Sequence, residues 1–288
     1  MKIGSTLNKI RKNLQITQNE LSKGIMTQGA YSKIEKSQLQ VNAEQFIQLL
    51  LKMNINLNEF TFIMNEYKLD EKREIIQSFT SLEVGDLSIL QSHLQRIENY
   101  LDNENDPLIE SLSKIYKAFI ILQLEKNLMK AREVIKPIWE QMQRLDHWYI
   151  IDFEVLNAIL FLFPLEIAKE ITNTALKRLE HYDHYNEDLT YLKIYFHMNL
   201  SVLYIEAKQF EECFQLLEQT ETTYLQKMSY KSTATLFERK AICLFHLNQA
   251  YEKELQKMDQ LLSIYHDALL HSLLQMEFNL LTNKSELE

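Results

Sequence analysis

Between residues 17 and 36 the sequence gathers amides, hydroxyls and ammonium groups at helical spacing: Gln18, Thr27, Gln28, Ser32, Lys33 and Lys36, with Gly29 among them. None is a nucleophile with a base beside it, so the chemistry open to the set is recognition rather than bond-making. An amide such as Gln28 can pair bidentately with the edge of adenine in a major groove. The groups on Thr27, Ser32, Lys33 and Lys36 suit phosphate oxygens, which fix register and carry no sequence information. Gln18, at the start of a short preceding helix, would offer its side chain and the free amides of that helix end to a phosphate. Gly29 stands out because glycine costs a helix about 1 kcal/mol relative to alanine.

Short helices must position these groups. Ile3, Leu7, Ile10 and Leu14 follow the rhythm of one apolar helix face. Thr17-Gln18-Asn19-Glu20 is a capping box, in which the threonine hydroxyl takes a backbone amide and the glutamate reaches back. Asn42 with Gln45, Asn56 with Glu59, and Thr27 before Gln28 repeat the start signal. The spacing therefore predicts five helices beginning near residues 3, 18, 28, 43 and 57. The second and third are joined by a tight turn around Lys23 to Met26, the helix-turn-helix arrangement. In the third, Ala30, Tyr31 and Ile34 face inward. Gln28, Gly29, Ser32, Lys33 and Lys36 face out.

Charge divides the chain in the same place. Residues 1–60 carry eight Lys/Arg against four Asp/Glu, and the rest carry 23 against 36. A basic head on an acidic body expects a polyanion at the head only. With four glycines in 288 residues, Gly-rich phosphate loops are excluded; neither a paired-Cys motif nor HExxH occurs. We therefore expect no enzyme, no cofactor and no metal. His181, Asp183, His184, Glu187 and Asp188 could hold a divalent ion, but read more simply as a solvated junction between helices. Cys213 and Cys243, in apolar helical stretches, read as reduced, buried thiols. No apolar leader follows Met1, and the run Ala158 to Phe163 is too short to span a bilayer, so a cytoplasmic protein is expected.

The scarcity of glycine and proline, four and three residues, predicts an all-α protein. Two domains are expected, 1–66 and 67–288. Beyond Glu71 a repeat shows at an offset of 41: Leu200 to Tyr204 aligns with Ala241 to Phe245, Phe210 with Tyr251, and Leu87 with Leu128. Short interruptions fall at Gly85-Asp86, Asn103 to Pro107, Asn127, Pro164, Lys208-Gln209 and Asn248-Gln249, and the region reads as five hairpins near 71–101, 110–145, 151–181, 189–226 and 231–267, with a closing segment at 268–282. A period of ~40, above the 34 of tetratricopeptide repeats, suggests a right-handed TPR-like stack. Its first helices would line a groove suited to a short peptide. Asn157, Tyr195, Asn199 and Arg239 are the candidate contacts, mid-helix asparagine being locally unfavourable. The plainer readings are a buried amide bonding a neighbouring helix for each asparagine, and an ion pair with an acidic neighbour such as Glu238 for Arg239.

The first sixty or so residues resemble the Xre/Cro-type helix-turn-helix family: Ile3-Gly4 with Leu7, Ile10 and Arg11 in its first helix, Thr17 to Ser22 in its second, Tyr31 to Glu35 in its recognition helix. Ser37 replaces a glycine often found after that helix. Over nearly the whole chain the sequence resembles the Rgg/GadR/MutR regulators, through Leu21 to Ser37, Asn56 to Phe60, and Trp148-Tyr149 with Phe153-Glu154 and Asn157 to Phe163. The resemblance implies a homodimeric transcription factor, with Arg11 and Glu35 as a structural ion pair. Several such proteins take part in quorum sensing by answering to short hydrophobic peptides, and both activators and repressors occur. Double-stranded DNA, a second copy, a signalling peptide and RNA polymerase are the implied partners. Two alternatives stand beside this reading: a ligand-independent regulator, and a repeat-based interaction scaffold with a vestigial reader domain.

Overall fold

A computed structural model describes residues 3–82 and 86–282. These residues form sixteen α-helices and three short 3₁₀ turns, with no strand among them, so the fold is all-α as composition predicts. The chain divides into two compact units, Met1–Glu83 and Val84–Glu288.

The first unit holds α1 (Ile3–Asn13), α2 (Gln18–Ser22), α3 (Gln28–Glu35), α4 (Ala43–Met53), α5 (Leu57–Met64) and α6 (Glu71–Thr80). The start signals act where expected. Thr17 completes its capping box, and Thr27, Asn42 and Asn56 accept from the amides of Ala30, Gln45 and Glu59. The turn between α2 and α3 passes through Gly24 at φ 81°, a conformation that suits glycine. Ser37, where a glycine was expected, takes the same left-handed region at φ 57°. Leu7, Leu21, Tyr31, Ile34, Leu49 and Phe60 close the core.

One expectation is corrected here. Leu14 lies past the end of α1 and is 42% exposed, and Ile3 is 41% exposed. The buried face of α1 runs instead through Gly4, Thr6, Leu7 and Ile10, because α3 crosses α1 closely at Gly4. A Cβ at that position would lie 1.9 Å from the Ile34 carbonyl oxygen. Helix α6 lies past the expected boundary at residue 66. It belongs to the first unit, where Arg73 Nη1 donates to Thr61 Oγ1 of α5 at 2.5 Å. The hairpin expected over 71–101 is thus shared between the units, and its break at Gly85 falls outside the described residues.

The second unit runs from α7 (Leu87–Leu101) through α8 (Pro107–Glu125), α9 (Leu128–Met142), α10 (Ile150–Ile159), α11 (Leu165–Leu179), α12 (Thr190–Glu206), α13 (Phe210–Tyr224), α14 (Tyr230–His246) and α15 (Glu252–Tyr265) to α16 (Ala268–Thr282). The fold is TPR-like: α8/α9, α12/α13 and α14/α15 pair as helical hairpins closed by α16, while α10 lies along α12 and α11 packs on α12. The offset of 41 is visible in the starts of α7 and α9 at Leu87 and Leu128. The middle hairpin is out of step because α10 ends early in a 3₁₀ turn, Leu160–Leu162, before Pro164 redirects the chain. Cys213 and Cys243 are free and fully buried in the core between α12 and α15.

Candidate nucleic-acid interface and repeat groove

A chain of side chains links α1 to the outer face of α3. Arg11 Nε donates to Glu35 Oε1 at 2.6 Å and Nη2 to Oε2 at 3.1 Å, while Nη1 donates to the Ile16 carbonyl at 2.7 Å. The ion pair implied by the family resemblance is therefore present, and nearly buried, with side chains 11% and 4% exposed. Gln18 Nε2 donates to Glu35 Oε2 at 2.7 Å, and Gln28 Nε2 donates to Gln18 Oε1 at 2.7 Å. Burial opposes charge on Glu35, but the hydrogen bonds from Arg11 and Gln18 outweigh it and hold the carboxyl below its ordinary range. The result is a fixed Gln28 amide at the entrance of α3, oriented from behind by a buried carboxylate.

The other candidates sit around it. Thr27 caps α3 with its hydroxyl oxygen, which leaves the hydroxyl proton free to donate. Ser32 is half-buried, and Lys33 and Lys36 are exposed. Neither lysine meets an acidic partner among the described residues. Gly29 is exposed, and a Cβ there would meet nothing within 4 Å. No packing demand inside the unit therefore explains its glycine. One contributor escaped the sequence reading: Lys52 of α4 donates to the carbonyls of Glu20, Leu21 and Lys23, a cation at the carboxyl end of α2 that holds the turn leading into α3. A lysine in the last turn of α4 gave no hint of this, since its target lies about thirty residues away.

In the second unit the first helices of successive hairpins lie side by side. Asn199 Nδ2 on α12 donates to the Asn157 carbonyl at 3.0 Å and to its Oδ1 at 2.9 Å on α10. The Asn199 amide is thus committed to Asn157 on the neighbouring helix, the plainer of the two readings for asparagine. Tyr191 on α12 donates to Glu154 Oε1 on α10 at 2.6 Å, and Tyr195, 39% exposed, packs edge-on against Tyr191. Arg239 on α14 donates through Nη1 to the Met198 carbonyl and to Ser201 Oγ. The ion pair expected with Glu238 does not form. Glu238 is fully buried with both carboxylate oxygens unpartnered among the described residues, and burial, reinforced by Glu277, pushes its pKa up to about 9. A neutral acid offers Arg239 no charge to pair with at neutral pH.

The histidine–carboxylate junction commits both of its aspartates to lysines: Asp183 to Lys193 and Asp188 to Lys227, each at 2.8 Å. Among the described residues no group of three or more such side chains is placed to hold a metal ion, and no helix is long and apolar enough to cross a membrane.

No family model and no curated protein matches this sequence. Solved structures do. Bacillus thuringiensis PlcR, determined in complex with the peptide PapR7 and DNA, matches at a TM-score of 0.69 over 98% of this chain and 99% of its own, with 19% identity. A putative transcriptional regulator from Listeria monocytogenes matches at 0.75, over 99% of both chains, with 16% identity. The chain shares their fold. The SHP pheromone receptor Rgg2 of Streptococcus dysgalactiae matches at 0.70 over 96% of this chain and 99% of its own, with 13% identity. The likeness to Rgg-type regulators drawn from sequence motifs is thereby matched in fold over nearly the whole length, helix-turn-helix unit and repeats alike.

Proposed function

We propose that the chain is a cytoplasmic, homodimeric transcription regulator that reads DNA through α3 and is modulated by a short hydrophobic peptide held by the first helices of its repeats. The observation that carries the reading is the outer face of α3: a buttressed Gln28, an open Gly29, and two lysines without acidic partners among the described residues, on a turn pinned by Lys52. Gln28 would read a base edge, and Gln18, Thr27, Ser32, Lys33 and Lys36 would hold phosphates. Titration of labelled DNA from upstream of its own gene tests this. Raising salt from about 50 to 200 mM should weaken binding by a factor on the order of 10³ or more, since counterions are released from each neutralised phosphate. Lys33→Ala should flatten the salt dependence by about one ion, and Gln28→Ala should cost about 1–3 kcal/mol at one base position. Salt-insensitive binding, or equal affinity in both variants, would overturn the assignment.

One reader unit makes few contacts, and a pair fits two half-sites one turn of DNA apart. For the second copy we infer a seat on α16, where Leu269, Leu273, Met276 and Leu280 form an exposed stripe at four- and three-residue spacing, each at least 52% exposed. That spacing is the seam of paired helices, and a stripe of this kind marks an interaction surface. Leu273→Glu combined with Met276→Glu is expected to turn the dimer into a monomer in analytical ultracentrifugation and to weaken DNA binding at least tenfold. A double variant that stays dimeric would remove α16 from the interface.

Peptide binding is supported by the exposed Tyr195 and by the partnerless, buried Nε of Arg239 on adjoining first helices. A ligand there regulates only through unequal affinity for two arrangements of the dimer. The commitment of the Asn199 amide to Asn157 favours a second reading, in which the repeats work without a ligand. Calorimetry with peptides encoded in small reading frames beside the gene separates the two: heat that disappears in Tyr195→Ala supports sensing, and no heat supports the second reading.

A further inference from the structure

Within the second unit, a cavity of about 820 Å³ opens between the turn that follows α9 and the carboxyl end of α11. Trp148 forms one wall; it is 4% exposed, and its indole N–H donates to the Met142 carbonyl at 3.0 Å. The guanidinium of Arg178 lies over that indole, 4.3 Å from the ring centre, and its Nη2 donates to the Leu145 carbonyl at 3.0 Å. Two contacts thus fix the guanidinium, yet its Nη1 is buried with no hydrogen-bond partner among the described residues. Lys177, the preceding residue, is exposed at the mouth without an acidic partner among the described residues. Tyr182 donates to the Trp148 carbonyl at 3.2 Å and closes another side, and Tyr149, 68% exposed, stands at the rim.

Lys193, Lys227 and Lys240 all meet carboxylates at short range, as expected in a strongly acidic body. Asp146 also lines the cavity but makes no ion pair with Lys177 or Arg178 among the described residues; two adjacent cations, one rigidly oriented and carrying an unanswered donor, call for an acceptor. The fork of an arginine matches the paired oxygens of a carboxylate or phosphate, and tyrosine and tryptophan faces suit a planar apolar body. The volume lies in the range of small-ligand sites. We propose that this cavity binds a small organic anion, a carboxylate or phosphate monoester carrying an aromatic or apolar group. Its anionic head lies between Lys177 and Arg178, and its body rests against Tyr149 and Tyr182. Such a ligand bridges the second and third hairpins and makes this an effector site separate from the peptide groove.

Both tryptophans of the chain sit here, Trp139 and Trp148 with ring centres 6.5 Å apart, so intrinsic fluorescence reports on the cavity directly. Titration of the full chain with phenyl phosphate and with benzoate should give a saturable change for at least one, and the tighter of the two identifies the head group. Phenol and inorganic phosphate, each lacking one half of the ligand, should bind at least tenfold more weakly. Lys177→Gln, at an exposed position that leaves the fold intact, should weaken binding about tenfold without moving the melting temperature, and Tyr149→Ala should weaken it several-fold. The absence of any saturable change, equal affinity in Lys177→Gln, or phenol binding as tightly as phenyl phosphate would each overturn the proposal.

Discussion

Glu35→Ala is expected to cost the N-terminal unit about 3 kcal/mol, because it strips a nearly buried arginine of its counter-charge and leaves the guanidinium in a poor solvent. Against a total stability of about 5–15 kcal/mol for a typical domain, that is a large share. Amide hydrogen exchange in α1 and α3 would register it as lost protection. The same variant should weaken DNA binding, since Gln18 loses the carboxylate that orients it and Gln28 loses its backing in turn. The pair also sets an acid limit. The Glu35 carboxyl is held below its ordinary value of 4.5 in the folded state. Its contribution is therefore complete above that value and is lost as the pH falls through the lower folded one. Wild-type protection in α1 and α3 should decline below about pH 4, whereas Glu35→Ala should lack that component. Equal protection in the two proteins at neutral pH would show the pair to be dispensable.

Gly4→Ala should be comparably damaging for a different reason. The added methyl carbon would stand 1.9 Å from a backbone oxygen of α3, and neither partner is a flexible side chain that can swing away. The helices must separate, at a cost of about 3 kcal/mol, and the recognition helix moves with them. Gly29→Ala, in α3 itself, should do the opposite to stability. Its methyl meets nothing within 4 Å, and the better helix former gains up to about 1 kcal/mol. If DNA lies against that turn, the same methyl should reduce affinity. A protein made more stable and less able to bind DNA by one methyl group is the expected signature, read by thermal unfolding and DNA titration in parallel. Unchanged affinity would place Gly29 outside the interface.

These two glycines mark how far the sequence can be read. Helix starts are local chemistry, and Thr17, Thr27, Asn42 and Asn56 each announce one within a few residues of chain. The repeat period is likewise legible, because Leu87 and Leu128, 41 residues apart, each begin a helix. What needs two helices to meet is not legible in that way. The close approach at Gly4, the exposure of Ile3 and Leu14, and the hold of Lys52 on the end of α2 all depend on crossing geometry that no local pattern records. Arg239 is instructive. Its adjacent glutamate offered an obvious partner, but burial neutralises Glu238 and turns the arginine to a backbone carbonyl on the neighbouring helix. Helix α6 has the periodicity of a repeat helix, and nothing local announces that its Arg73 reaches back to α5.

The central claim is that the outer face of α3 enters a major groove, twice per dimer. Guanine N7 lies only in that groove, so protection from dimethyl sulfate on DNA upstream of the gene reads the claim most directly. Two protected patches are expected on one face of the duplex, centred about 10 base pairs or a multiple apart, and both should fade in Gln28→Ala. Bound DNA whose guanines remain fully reactive, or whose protection is indifferent to Gln28, would contradict it.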